Sequence, residues 1–73
     1  MKLSELLPGE RGQVKDMPPP LEARLEKMGF VTGSEVRCLY RAPSGDPTAY
    51  YIRGATVALR GQDAEHIEVT PWD

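Results

Sequence analysis

Seven glycines and seven prolines are spread along a chain of 73 residues, and they limit how long any one element can be. Proline removes a backbone donor and glycine favours turns, so every run between them is short. Short runs separated by turn residues indicate a compact β-rich fold. We expect a single domain over residues 1–73, with a core at roughly 3–69 and a C-terminal tail at 70–73. A chain of this size buries roughly 60–65% of its unfolded surface, which leaves little room for a deep pocket of its own. That weighs against an enzyme.

The runs can be read in order. Ser4 is placed to cap a helical turn over 5–7, which Pro8-Gly9 ends. Residues 12–16 read as a weak first strand. Pro18-Pro19-Pro20 then opens a helix, because proline is tolerated in a first turn. Leu21, Leu25 and Met28 form one stripe at helical spacing, and Gly29 stands where a left-handed cap belongs. After Gly33 the period changes to two: Val36, Cys38 and Tyr40 alternate with Arg37, Leu39 and Arg41. Residues 43–47 form a loop, and strands follow at 48–52 and 55–59 around Arg53-Gly54. A helical turn at 63–66 and a last strand at 67–69 complete the chain, with Pro71-Trp72-Asp73 as the tail.

Strand parity tests this reading. If the loop 43–47 closes a hairpin, Ala42 faces Thr48, Tyr40 faces Tyr50 and Cys38 faces Ile52. A two-residue turn at Arg53-Gly54 places Ile52 opposite Ala55 and Tyr50 opposite Val57. One face then collects Val36, Cys38, Tyr40, Tyr50, Ile52, Val57 and Leu59, which is a core face. The other collects Arg37, Leu39, Arg41, Ala49, Tyr51 and Arg53. Arginines around an aliphatic and an aromatic side chain are common at recognition surfaces, and an ordinary solvated face can have the same make-up. About five strands with one short helical insert after the first strand fit a mainly β, small SH3-like barrel. An OB-like barrel and an open α+β meander are the alternatives.

The chemistry points to binding. Nine basic residues against eleven acidic give a net charge of −2, which disfavours coating nucleic acid. The arginine face keeps a nucleic-acid-binding barrel as a third, weaker reading. No run of about 18 apolar residues is present to insert in a membrane, and the first residues lack the apolar stretch of a signal peptide. One cysteine, Cys38, cannot form an internal disulfide, so a cytoplasmic location is expected. Cys38 falls in a core strand, as a small hydrophobe. No P-loop and no nucleophile–base constellation occurs, so no catalytic residue is assigned. The metal-ligand types His66, Asp46, Asp63, Glu65 and Glu68 show no recognised ligand spacing. No cofactor is evident, and a weak site for ferrous or another divalent ion, completed by a partner or second copy, is the open alternative. His66 is expected at a rim. Asp46 is expected to accept hydrogen bonds within its turn, and it is also a candidate partner contact. Pro18-Pro19-Pro20 is best read as a rigid link into the helix.

Ala42-Pro43-Ser44-Gly45-Asp46-Pro47 resembles the A-P-x-G-D-P loop of the FeoA family. Further features occur in the family's order: Leu3 to Leu6 followed by Pro8-Gly9, then Leu25-Glu26-Lys27-Met28-Gly29-Phe30, then Gly33 before Glu35-Val36. Val57-Ala58-Leu59-Arg60 precedes Ala64-Glu65-His66-Ile67-Glu68-Val69, like the family's ending. Thr32 departs from the proline often found there. The resemblance spans Leu3 to Val69 and implies an SH3-like fold. It also implies a role as a small accessory protein of bacterial ferrous-iron uptake, with the FeoB permease as partner through its cytosolic GTPase portion. FeoA-like domains are similar to the C-terminal domain of DtxR-type repressors, so a metal-binding or metal-sensing domain is the alternative function. The partner-contact candidates are Arg37, Leu39, Arg41, Tyr51, Arg53 and Asp46. The oligomeric state is not legible.

Overall fold

The computed structural model describes residues 1–72. After a 3-10 turn at Leu3–Glu5 come strand β1 (Arg11–Asp16), helix α1 (Pro19–Glu26), strands β2 (Glu35–Arg41), β3 (Thr48–Ile52) and β4 (Ala55–Leu59), a short helix α2 (Gly61–Ala64) and strand β5 (Glu68–Trp72). The strands form one sheet in the order β4-β3-β2-β1-β5, and every neighbouring pair is antiparallel. This is the mainly β, SH3-like barrel with one helical insert after β1. Its last strand runs further than expected, so Thr70, Pro71 and Trp72 pair with β1; Asp73 lies outside the described residues.

The start of the chain differs from the Ser4 cap. The 3-10 turn begins earlier, and the Lys2 N–H donates to Glu5 Oε1 at 2.8 Å. That shift buries both Leu3 and Leu6 and leaves Leu7 exposed. In α1 the prolines occupy the first turn, and Leu21 and Leu25 face the core. Met28 does not continue their stripe; it is 43% exposed, because the helix ends at Glu26. The chain reverses at Gly29, whose φ of +83° suits glycine. Phe30 N–H reaches the Leu25 carbonyl at 3.1 Å and Gly29 N–H reaches that of Glu26 at 3.0 Å, the pair of bonds that closes a Schellman motif. Phe30 thereby takes the core place expected of Met28 and meets Tyr50 edge to face, with centroids 6.4 Å apart.

The β3–β4 register is the expected one: Ile52 faces Ala55 and Tyr50 faces Val57. Arg53 and Gly54 both have positive φ, 49° and 84°, as a type I′ turn requires. The β2–β3 register differs. Cys38 faces Tyr50 and Val36 faces Ile52, and a bulge then changes the pairing so that Tyr40 faces Ala49 and Arg41 faces Thr48. The bulge adds one residue to β2, which reverses the parity of everything after it. Tyr40 is therefore 61% exposed and is not a core residue. Arg41 turns to the barrel rim. The rest of the expected core face is buried: Val36, Cys38, Tyr50, Ile52, Val57 and Leu59.

The curl of the barrel depends on Gly12. A Cβ there would lie 2.7 Å from the Thr70 carbonyl oxygen, so β5 could not approach as it does. Burial pushes the Tyr50 phenol up to about 12, with Cys38 adding to the shift and Arg41 opposing it. Burial likewise raises the Cys38 thiol, which keeps it protonated and unreactive.

Candidate functional site

Strand pairing aligns one outward row across the whole sheet. Trp72 faces Arg11, Arg11 faces Arg37, Arg37 faces Tyr51 and Tyr51 faces Thr56. Paired residues on one face stand close enough for their side chains to meet. The Arg11 guanidinium lies over the Trp72 ring, 5.8 Å from its centroid, within cation–π range. Arg11 also approaches Glu35, with Nη1 and Oε2 3.5 Å apart. Both of these side chains are well exposed, so the pair is weak. Tyr51 and Trp72 expose 46% and 44% of their surfaces, which is high for aromatic side chains held in a sheet.

An open groove of about 660 Å³ lies over the middle of this row, from Arg11 to Tyr51, and Trp72 stands beside it, beyond Arg11. Arg11, Glu35, Arg37, Tyr51 and Arg53 line it together with Gly33, Ser34 and Gly54. Arg53 reaches it from the type I′ turn. Three arginines against one glutamate make the groove positive in a chain whose net charge is −2. Arg37 and Arg53 make no ion pair among the described residues.

Of the residues singled out from sequence, the structure brings Arg37, Tyr51 and Arg53 together. The other three are elsewhere. Leu39 sits at the bulge and is half-buried. Arg41 donates from Nη2 to the carbonyl oxygens of Ser4 at 2.9 Å and Leu6 at 3.2 Å, which ties the 3-10 turn to the barrel rim. Asp46 accepts from the Gly61 N–H at 2.7 Å, through Oδ1, and so links its loop to the start of α2, well beyond its own turn. Sequence reading missed Arg11 and Trp72. Their pairing joins the two ends of the chain, and no local signal announces it.

The metal-ligand types do not converge. Among the described residues no three His, Cys, Asp or Glu side chains are grouped to hold an ion. Asp63 pairs with Arg24 at 2.8 Å, Glu68 holds the amino group of Met1 at 2.6 Å, and Asp46 is engaged by Gly61. His66 has Glu65 beside it, with Nε2 and Oε1 3.7 Å apart, and both are exposed.

Comparison with known proteins agrees with this architecture. The family model described as the FeoA domain matches residues 1–71. The chain belongs to the FeoA family. A relative from Porphyromonas gingivalis, named as a fusion of Fe(2+) transport protein A with the Fe(2+) transporter FeoB, is 37% identical over 71 residues. That match covers 94% of this chain and only 8% of the fusion protein. The solution structure of the FeoA protein from Chlorobium tepidum is 36% identical, with a TM-score of 0.91, covering 100% of this chain and 71% of that one. A zinc complex of Stenotrophomonas maltophilia FeoA, described as a procaryotic SH3 domain protein, is 32% identical with a TM-score of 0.75, covering 94% of this chain and 88% of that one. In this chain the sheet presents the arginine groove on its outer side.

Proposed function

We propose that this FeoA domain is an interaction module of ferrous-iron uptake that docks on a FeoB permease in the cytoplasm, through the GTPase portion of that partner. The observation that carries this reading is the fusion relative, in which a FeoA segment and FeoB share one polypeptide. Joining two modules raises their effective concentration for each other without adding a contact, an advantage when the modules already meet. Among the described residues no helix is long and apolar enough to cross a membrane, which suits a module that works on a membrane partner from outside the bilayer. The docking face is the groove of Arg37, Tyr51 and Arg53, an exposed aromatic and two arginines without an ionic partner among the described residues, which are the residue types that dominate interface energy. The test is binding to the isolated cytosolic portion of FeoB. Arg37→Glu and Tyr51→Asp are expected to weaken binding by about tenfold or more while leaving the thermal transition in place. Unchanged affinity in both would exclude this face.

A second reading, a metal-binding domain, is favoured by the zinc complex of the Stenotrophomonas maltophilia relative. Anaerobic calorimetry with ferrous or manganous ion decides it. A one-to-one micromolar site lost in His66→Ala would support it over docking.

A further inference from the structure

We propose that the arginine groove recognises an extended acidic peptide segment, with Arg11, Arg37 and Arg53 holding its carboxylates, and Tyr51 in the groove and Trp72 beside it contacting its apolar positions. This rests on the docking reading and names the chemistry of the occupant.

Four observations carry it. The groove holds three arginines and one glutamate in a chain of net charge −2, so positive charge is concentrated where the rest of the molecule is acidic. Arg37 and Arg53 have no ionic partner among the described residues, and planar guanidinium groups bind carboxylates in pairs of hydrogen bonds. The spacing suits an extended chain. Arg11 and Arg37 are direct ladder partners, roughly 5 Å apart at Cα. Arg53 follows Tyr51, the ladder partner of Arg37, by two residues and stands in the turn just past β3, so Arg37 and Arg53 lie on a diagonal of roughly 7–8 Å. Carboxylates at alternate positions of an extended peptide recur at that same interval, roughly 7 Å. The exposed ring of Tyr51 in the groove and that of Trp72 next to Arg11 at its edge add apolar surface, which a phosphate or a simple anion would leave unused.

Glu35 has a defined part in this arrangement. Its carboxylate, 3.5 Å from Arg11, occupies the place an incoming carboxylate would take. The occupant therefore displaces Glu35, and removing that charge should strengthen binding.

The test is a titration followed through Trp72, the only tryptophan of the chain, and through the backbone amide resonances of the labelled protein. The probe is a capped peptide with glutamate at every second position and one phenylalanine between them. Its control carries glutamine in place of glutamate. The glutamate peptide should bind at least about tenfold more tightly than the control, with shifts confined to the groove and the adjoining Trp72. Arg37→Gln with Arg53→Gln should cost about tenfold, and Glu35→Gln should tighten binding about twofold or more. Added salt should weaken it throughout. Equal affinity for both peptides, shifts centred on another surface, or tighter binding of a single-stranded oligonucleotide than of the glutamate peptide would overturn the proposal. FeoB binding is measured separately on the same arginine variants. Loss of FeoB binding with no peptide binding removes the acidic-segment proposal and leaves the docking reading standing. Peptide binding in the groove with FeoB affinity unchanged keeps the proposal and removes FeoB as the source of the segment.

Discussion

Arg41 and Arg37 are four residues apart in one strand, and both are exposed, yet they have different tasks. Arg37 projects from the sheet with no ionic partner among the described residues. Arg41 caps the carbonyl oxygens of Ser4 and Leu6. Replacing Arg41 by alanine removes two charge-assisted hydrogen bonds and should lower stability by about 1–3 kcal/mol, measured by urea unfolding. The same substitution should leave affinity for the acidic peptide within about twofold, because Arg41 does not line the groove. A tenfold loss of affinity with unchanged stability would reverse these roles. The sequence could not separate the two arginines. Alternation alone places them on the same face, and only the added residue of the bulge sends Arg41 to the rim. Cys38 was legible because it precedes the bulge, and Tyr40 was not because it follows it.

At the scale of elements, what could be read was set by turn length. The two-residue turn leaves no freedom in register, so the β3–β4 pairing followed from residue types alone. The β2–β3 loop is longer, and the bulge beside it absorbs a residue, so that counting from the loop gives the wrong partners. Helix α1 was legible from its prolines and leucines, but its end depends on the Schellman reversal that buries Phe30. Arg53 is the local exception to turn chemistry: a non-glycine residue at φ +49°, in a place where asparagine or glycine is favoured. Unfavourable backbone at this candidate face is accounted for if the Arg53 side chain serves binding. Arg53→Asn should raise stability by about 0.5–1 kcal/mol and weaken binding of the glutamate peptide about threefold or more. Thermal melts and the peptide titration check the two halves. A variant that is less stable and binds equally well would show that Arg53 serves the fold instead.

Across the whole molecule, the candidate face exists only because distant segments meet. β5 pairs with β1 and brings the Trp72 ring under the Arg11 guanidinium, 61 positions away in the chain (72 − 11). Gly12 permits that approach, since any side chain there would press on the Thr70 backbone. The barrel class and most of its core could be read from segment length, parity and the family motifs. The groove could not, because long-range pairing of the chain ends leaves no periodic trace in the sequence. The central claim is that this assembled row is where the partner sits. The most direct test is to titrate the labelled domain with the cytosolic portion of FeoB and follow every backbone amide. The account predicts that signals of Arg11, Arg37, Tyr51, Arg53 and Trp72 shift or broaden first, while those around α1 and His66 hold. Perturbation centred on α1 and His66, with the arginine row unmoved, would contradict it.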